Sequence, residues 1–160
     1  MLPFTTTWGW GTWKRAWSGA LRHPNEALKC LADYEWRERF DIDGAFPYAR
    51  MLADQLRGRK DSWGIWWYFH VFQHRGLVVY PTRTYVHNEG FDGSGTHCAD
   101  NARHFDGALG LTAPTCLPDV SDMPEAIAAV REHLRQARGF PRRIKDRWMR
   151  FFPSLPKAKL

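Results

Sequence analysis

The run "WGIWWYFHVF", from Trp63 to Phe72, limits what this chain can fold into more than any other stretch. It is apolar on nearly every side, so a helix built from it must be surrounded by other elements. Its ten residues are half of the roughly 20 needed to span a bilayer. The run therefore predicts a buried helix, not an anchor. The shell is available: in 160 residues, 44% are apolar and 15% aromatic, enough for the core of one ordinary domain.

The flanks of the run predict its limits. Asp61 stands where an N-cap belongs, its carboxylate able to accept from free backbone N–H groups, and Gly76 stands at a C-cap position. Upstream, Pro24 and Glu26 open a helical pattern through Leu28, Leu31 and Trp36, and "PYARMLADQLRG" gives another that stops at Gly58. The opening "TTTWGWGTWKRAW" begins as a loop and then places Trp10, Trp13 and Trp17 at spacings a helix could put on one side. Downstream, "LVVYP" and "TYVHN" are β-branched and aromatic runs divided by Pro81, and they predict two short strands. Weak patterning follows from Asn101 to Asp119. Asp122 and Glu125 then form a capping-box pattern ahead of Ile127, Val130 and Leu134, with Gly139 as the stop. The expected class is α/β, mostly helical with a short strand pair, organised as a body over 1–120 and a basic amphipathic helical tail over 121–160.

The formal charge of +6 suggests a nucleic-acid partner until its position is considered. From Arg131 to Leu160 there are ten Lys and Arg against Glu132 and Asp146, so this segment carries +8 and residues 1–130 carry −2. The body is not a general phosphate-binding surface, and no nucleic-acid partner is expected. Within the tail, Ile144, Trp148 and Phe151 share one face while Arg142, Arg143, Lys145 and Arg150 lie mostly elsewhere. Residues 142–152 could thus meet an anionic membrane surface, with helix packing as the plain alternative. Cys30, Cys98 and Cys116 are odd in number and irregularly spaced, which fits a reducing, cytoplasmic setting, peripheral at the inner face of the membrane if the tail binds there.

Several residues could carry chemistry. A carboxylate at a helix start stays ionised and can accept a proton from an alcohol, which makes Asp61 a candidate general base beside its plain role as a cap. "GFDGSGTHC", positions 90–98, brings Asp92, Gly93, Ser94, Gly95 and His97 together; such residues bind phosphates, metals or sugar hydroxyls, and they also make ordinary turns. "HVFQH" places His70 and His74 four apart, but Val71 replaces the glutamate of a zinc-peptidase helix, so a packed or helix-terminal pair is preferred. His97, Cys98, His104 and Cys116 lack regular zinc spacing. "DID" at Asp41–Asp43 follows a charged helix end instead of an apolar strand and is set aside as a metal-binding pair. The nine tryptophans either pack a core or stack on flat ligands.

In order, "WGWGTWKRAW", "GAFPYARMLADQLRGRKDSWGIWWY", "GLVVYP" and "VHNEGFDGSGTHC" resemble the C-terminal half of bacterial glycosyltransferases of family 2, over roughly residues 8–98. The resemblance implies a GT-A fold, of which this chain is the acceptor-side portion. It implies Asp61 as the base of inverting transfer from a nucleotide-sugar to a polysaccharide or glycolipid acceptor. It assigns Asp92, Gly93, Ser94 and Gly95 to the donor side and His97 to a divalent cation, Mg²⁺ or Mn²⁺, with His87 as the competing ligand. Trp8, Trp10 and Trp63 would offer flat faces to acceptor sugar rings. The family places a nucleotide-binding half with an Asp-x-Asp ahead of "WGWGTW", whereas Met1 stands seven residues before Trp8. The segment is therefore expected neither to bind a nucleotide-sugar tightly nor to turn over by itself. The alternative is a non-catalytic Trp-rich module that binds carbohydrate or a partner protein.

Overall fold

Asp33 divides the first helical pattern in two. Its carboxylate accepts from the N–H groups of Glu35 (2.9 Å) and Trp36 (3.2 Å), starting a new helix where the old one ends. The computed structural model describes residues 1–7, 9–19, 22–86, 109–112, 115–116, 119–121 and 123–137. In chain order its helices are α1 (Lys14–Trp17), α2 (Pro24–Ala32), α3 (Tyr34–Phe40), α4 (Tyr48–Leu56), α5 (Trp63–Gln73) and α6 (Pro124–Ala137).

The apolar run lies at the centre, as its composition requires. Ile65, Trp66, Trp67, Tyr68, Phe69 and Val71 of α5 are all buried. Phe40, at the end of α3, is wholly buried and sandwiched between two rings, Trp36 and Tyr68, each 4.5 Å away and nearly parallel. Phe72 meets it edge-on at 5.1 Å. Offset stacks and edge contacts of this kind contribute about 0.5–1.5 kcal/mol each beyond the area they bury. Leu52 of α4 and Ala27 and Leu31 of α2 close the other sides, and α6 lays Ala126, Ile127, Val130 and Leu134 against the same core.

Several polar groups inside this shell are matched, whereas Trp66 Nε1 and Thr5 Oγ1 are buried with no hydrogen-bond partner. The Asp41 carboxylate is buried and accepts the Ala49 N–H at 2.7 Å, so it caps α4 from outside the helix. Tyr68 donates its hydroxyl to the Phe40 carbonyl at 2.9 Å. Gln73 joins three helices: its Oε1 accepts from Trp36 Nε1 (3.0 Å) and its Nε2 donates to Glu26 (3.0 Å) and Cys30 Sγ (3.3 Å). Asp43 pairs with Arg131, and the Asp43 carbonyl accepts from Arg135 at 3.1 Å, which fastens α6 to the end of α3. Both outer members of "DID" thus have structural partners.

The architecture is mostly helical, and the expected strand pair is not seen among the described residues. Val78 does pair as a strand residue, but with Leu2, in an isolated antiparallel bridge (2.9 and 2.8 Å). The second run is diverted by its own side chain: Thr84 Oγ1 donates to the Val86 carbonyl and accepts the Val86 N–H, a local turn that competes with a ladder. His87 and Asn88 lie outside the described residues.

Candidate functional site

Four indole rings gather at the start of α5. Trp10 lies 5.4 Å from Trp63, 5.5 Å from Trp67 and 5.7 Å from Trp17, measured between ring centroids. Trp17 also contacts Trp67 at 5.5 Å and Trp63 edge-on at 6.4 Å. Only Trp67 is buried; Trp63 and Trp17 are about half exposed, at 46% and 50%. Trp13 is more exposed still and carries Arg15 over its ring at 5.2 Å. The result is an aromatic face that packs on itself and is open to solvent on one side.

Local structure explains how the face is assembled. Trp63 and Trp67 are one helical turn apart on α5. Trp10 arrives on a loop that passes tightly under Val86: at Gly9 the backbone has φ +54°, and a Cβ there would stand 2.1 Å from Val86 Cγ1. A residue with a side chain would push the loop off. Gln55 at the end of α4 accepts the Ser62 N–H at 2.5 Å, and Gly64 packs close to Thr7, so the first turn of α5 is held from two sides.

Asp61 is not the N-cap. Ser62 occupies that position; its side chain makes no cap hydrogen bond, and Gln55 of the preceding helix accepts the Ser62 N–H. Asp61 stands one residue outside, exposed, two positions before Trp63. Gly76 is likewise displaced from its expected place: His74 is the C-cap, Arg75 takes the left-handed conformation at φ +51°, and Gly76 donates to the Val71 carbonyl at 2.8 Å.

The other candidates separate cleanly. His70 stacks on buried Trp67 at 5.6 Å, and His74 lies 4.3 Å from it with Nδ1 donating to the His70 carbonyl at 2.9 Å. Burial, then the neighbouring His74, pushes the His70 imidazole below its ordinary range. This is the packed pair the missing glutamate suggests. Among the described residues no group of three His, Cys, Asp or Glu is placed to hold a metal ion. Trp8, Asp92, Gly93, Ser94, Gly95, His97, the competing ligand His87, and the tail residues 142–152 lie outside the described residues. Of the sequence-derived site, the structure therefore brings together Trp10, Trp63 and the segment bearing Asp61. Trp17 and Trp67 complete the face; the four-residue spacing from Trp63 was the available signal for Trp67, hidden because every neighbour is also apolar. No helix among the described residues is long and apolar enough to cross a membrane. No family model, curated protein or solved structure matches this chain.

Proposed function

We propose that the tryptophan face at the start of α5 is the saccharide-acceptor surface of a family 2-like glycosyltransferase, with Asp61 as its base. One observation carries this reading: an exposed carboxylate stands two residues from a half-exposed indole that belongs to a rigid four-ring cluster. Pyranose rings present a flat C–H face and a rim of hydroxyls. Indole rings receive the first, and a nearby carboxylate can accept a proton from the second.

In this reading Asp61 takes the acceptor hydroxyl proton as the oxygen attacks the anomeric carbon of a nucleotide-sugar. The bond from that carbon to the diphosphate breaks, giving inversion. A divalent cation would neutralise the departing diphosphate, and the loop with Asp92 and His97 is where the family resemblance puts that task. Because the rings are stacked on one another before any ligand arrives, little side-chain entropy remains to be lost on binding.

The same face also suits a module that binds saccharide without reacting it, and Asp61 distinguishes the two. Intrinsic tryptophan fluorescence titrated with bacterial oligosaccharides should show saturable binding, and Trp63→Ala should weaken it by about tenfold or more, the loss typical of a truncated aromatic anchor. Asp61→Asn should leave that affinity unchanged. In a chain that joins this segment to a nucleotide-binding half, the same change should abolish sugar transfer with the fold intact. Retained transfer would leave only the binding module.

A further inference from the structure

A cavity of about 550 Å³ opens at the other end of α5, between the ends of α3 and α5, residues near the N-terminus, and α6. The rise of 1.5 Å per residue puts Phe72 roughly 13 Å along the axis from Trp63, so this is a separate place from the tryptophan face. Its volume is in the range that holds small organic ligands.

Its charge is one-sided. Arg39, Arg75 and Arg131 line it, and Asp43 is the only carboxylate among its walls. Asp43 is engaged with one nitrogen of Arg131, while the Nε of the same guanidinium is buried with no hydrogen-bond partner. Arg39 and Arg75 are exposed, and among the described residues neither makes an ion pair. Two helix C-termini end here, and arginines commonly complement such ends. Each end contributes at most about half an elementary negative charge, however, so a net +2 from the side chains still leaves roughly one positive charge in excess. One arginine fewer would serve the helix ends.

Strain points to the same place. Among the described residues, the non-glycine positions with positive φ are Ile42 (+52°), Asp43 (+48°) and Arg75 (+51°), and all three line this cavity. For a β-branched residue such as Ile42 this conformation is an outlier. Each such residue costs of order 1 kcal/mol or more, and clusters of them mark sites where geometry serves a ligand. Apolar side chains complete the lining, among them Phe72, Leu77 and Ile127.

We propose that this cavity binds a phosphate monoester, its head among Arg39, Arg75 and Arg131 and its organic part against Phe72, Leu77 and Ile127. A phosphomonoester is an anion at neutral pH with three strong acceptor oxygens, one for each of the three guanidinium groups, where a carboxylate has two. Guanidinium forks suit its oxygens in pairs, and the unpartnered Arg131 Nε gains an acceptor. The apolar lining favours an ester over inorganic phosphate.

The test follows arginine Nε–Hε resonances by NMR at fixed ionic strength while phenyl phosphate, inorganic phosphate or benzoate is added. Phenyl phosphate should shift Arg131 and Arg39 saturably and bind about tenfold more tightly than either comparator. Arg39→Gln and Arg75→Gln should each weaken it by about tenfold, one charge-assisted contact each. These exposed positions are chosen because Arg131 also fastens α6. A lack of saturation into the millimolar range, equal affinity for inorganic phosphate or benzoate, or unchanged affinity in both variants would each overturn the proposal.

Discussion

The two ends of α5 are built on opposite plans. At the N-terminal end the helix has no side-chain cap, and Trp63 packs against Trp10 and Trp17 in tilted and edge-on contacts that remain partly open to water. At the C-terminal end the backbone is closed: Arg75 donates to Phe72 and Gly76 to Val71, a Schellman arrangement, and three arginines stand beside the aromatics. Between them lies the buried stretch from Ile65 to Val71, which both ends share. The difference teaches that the apolar middle fixes the helix in place, which leaves its two ends free to differ in chemistry.

The most direct way to break the comparison is to damage the middle. Phe69→Ala removes a ring that is 2% exposed and in edge contact with Trp36 and Trp66. It should cost about 3–5 kcal/mol, seen as a lower midpoint in urea unfolding, and should weaken ligand binding at both ends together. If either end survived alone, the shared middle would not be what positions it.

A milder challenge to the middle is alkaline. Burial, followed by Tyr80 and Asp41, holds the Tyr48 hydroxyl protonated up to about 12, and burial with Tyr48 and Asp41 nearby pushes Tyr68 upward as well. In the unfolded chain a tyrosine ionises near pH 10. Above that pH the unfolded ensemble releases protons that the native state keeps, so unfolding becomes easier. The stabilisation is whole below about pH 10 and drains away as the pH rises to about 12, with Tyr48 alone accounting for roughly 3 kcal/mol. The part of the tyrosinate absorbance that Tyr48→Phe and Tyr68→Phe remove should therefore rise together with the loss of helical circular dichroism over that window. A rise in absorbance well before the helices melt would show these hydroxyls to be accessible.

The smallest effect sharpens the contrast at the closed end. α4 ends with the same Schellman pattern, Gly58 donating to Gln55 and Arg59 to Asp54, but there a glycine takes the left-handed position at φ +67°. Gly58→Ala should destabilise by about 1 kcal/mol, while Arg75→Gly should stabilise by about the same amount, since only the second relieves a side chain from that conformation. Thermal unfolding of the two variants gives the signs. A stabilised Arg75→Gly that also loses phosphate-ester affinity would show what the strained arginine is for.

Much of the helical frame was legible in the sequence. The all-round apolar run marked α5, and glycine at position 58 marked the end of α4, because both signals act through the local chain. The break at Asp33 was less visible, since a periodic apolar pattern continues across it to Trp36; the cap is made by a side chain that periodicity does not register. The strand pair failed for a tertiary reason: Val78 found its partner in Leu2, 76 positions away, and Thr84 turned its own segment aside. At the site, Asp61 and Trp63 were legible as neighbours, but the cap position fell to Ser62, whose N–H is met by Gln55 from another helix, a contact no local pattern registers. The arginine cavity was invisible in sequence, for Arg39, Arg75 and Arg131 come from three separate segments that only the packing of α3, α5 and α6 brings together.

The joint at Gln73 has a directional logic that a group able only to donate or only to accept could not supply. Trp36 can only give a proton there and Glu26 can only receive one, so the group between them must do both at once, and the orientation of its amide is forced. Because that middle group carries no charge, the clasp uniting α2, α3 and α5 is aimed by shape and direction, and charge enters it only through Glu26 and Cys30 on α2.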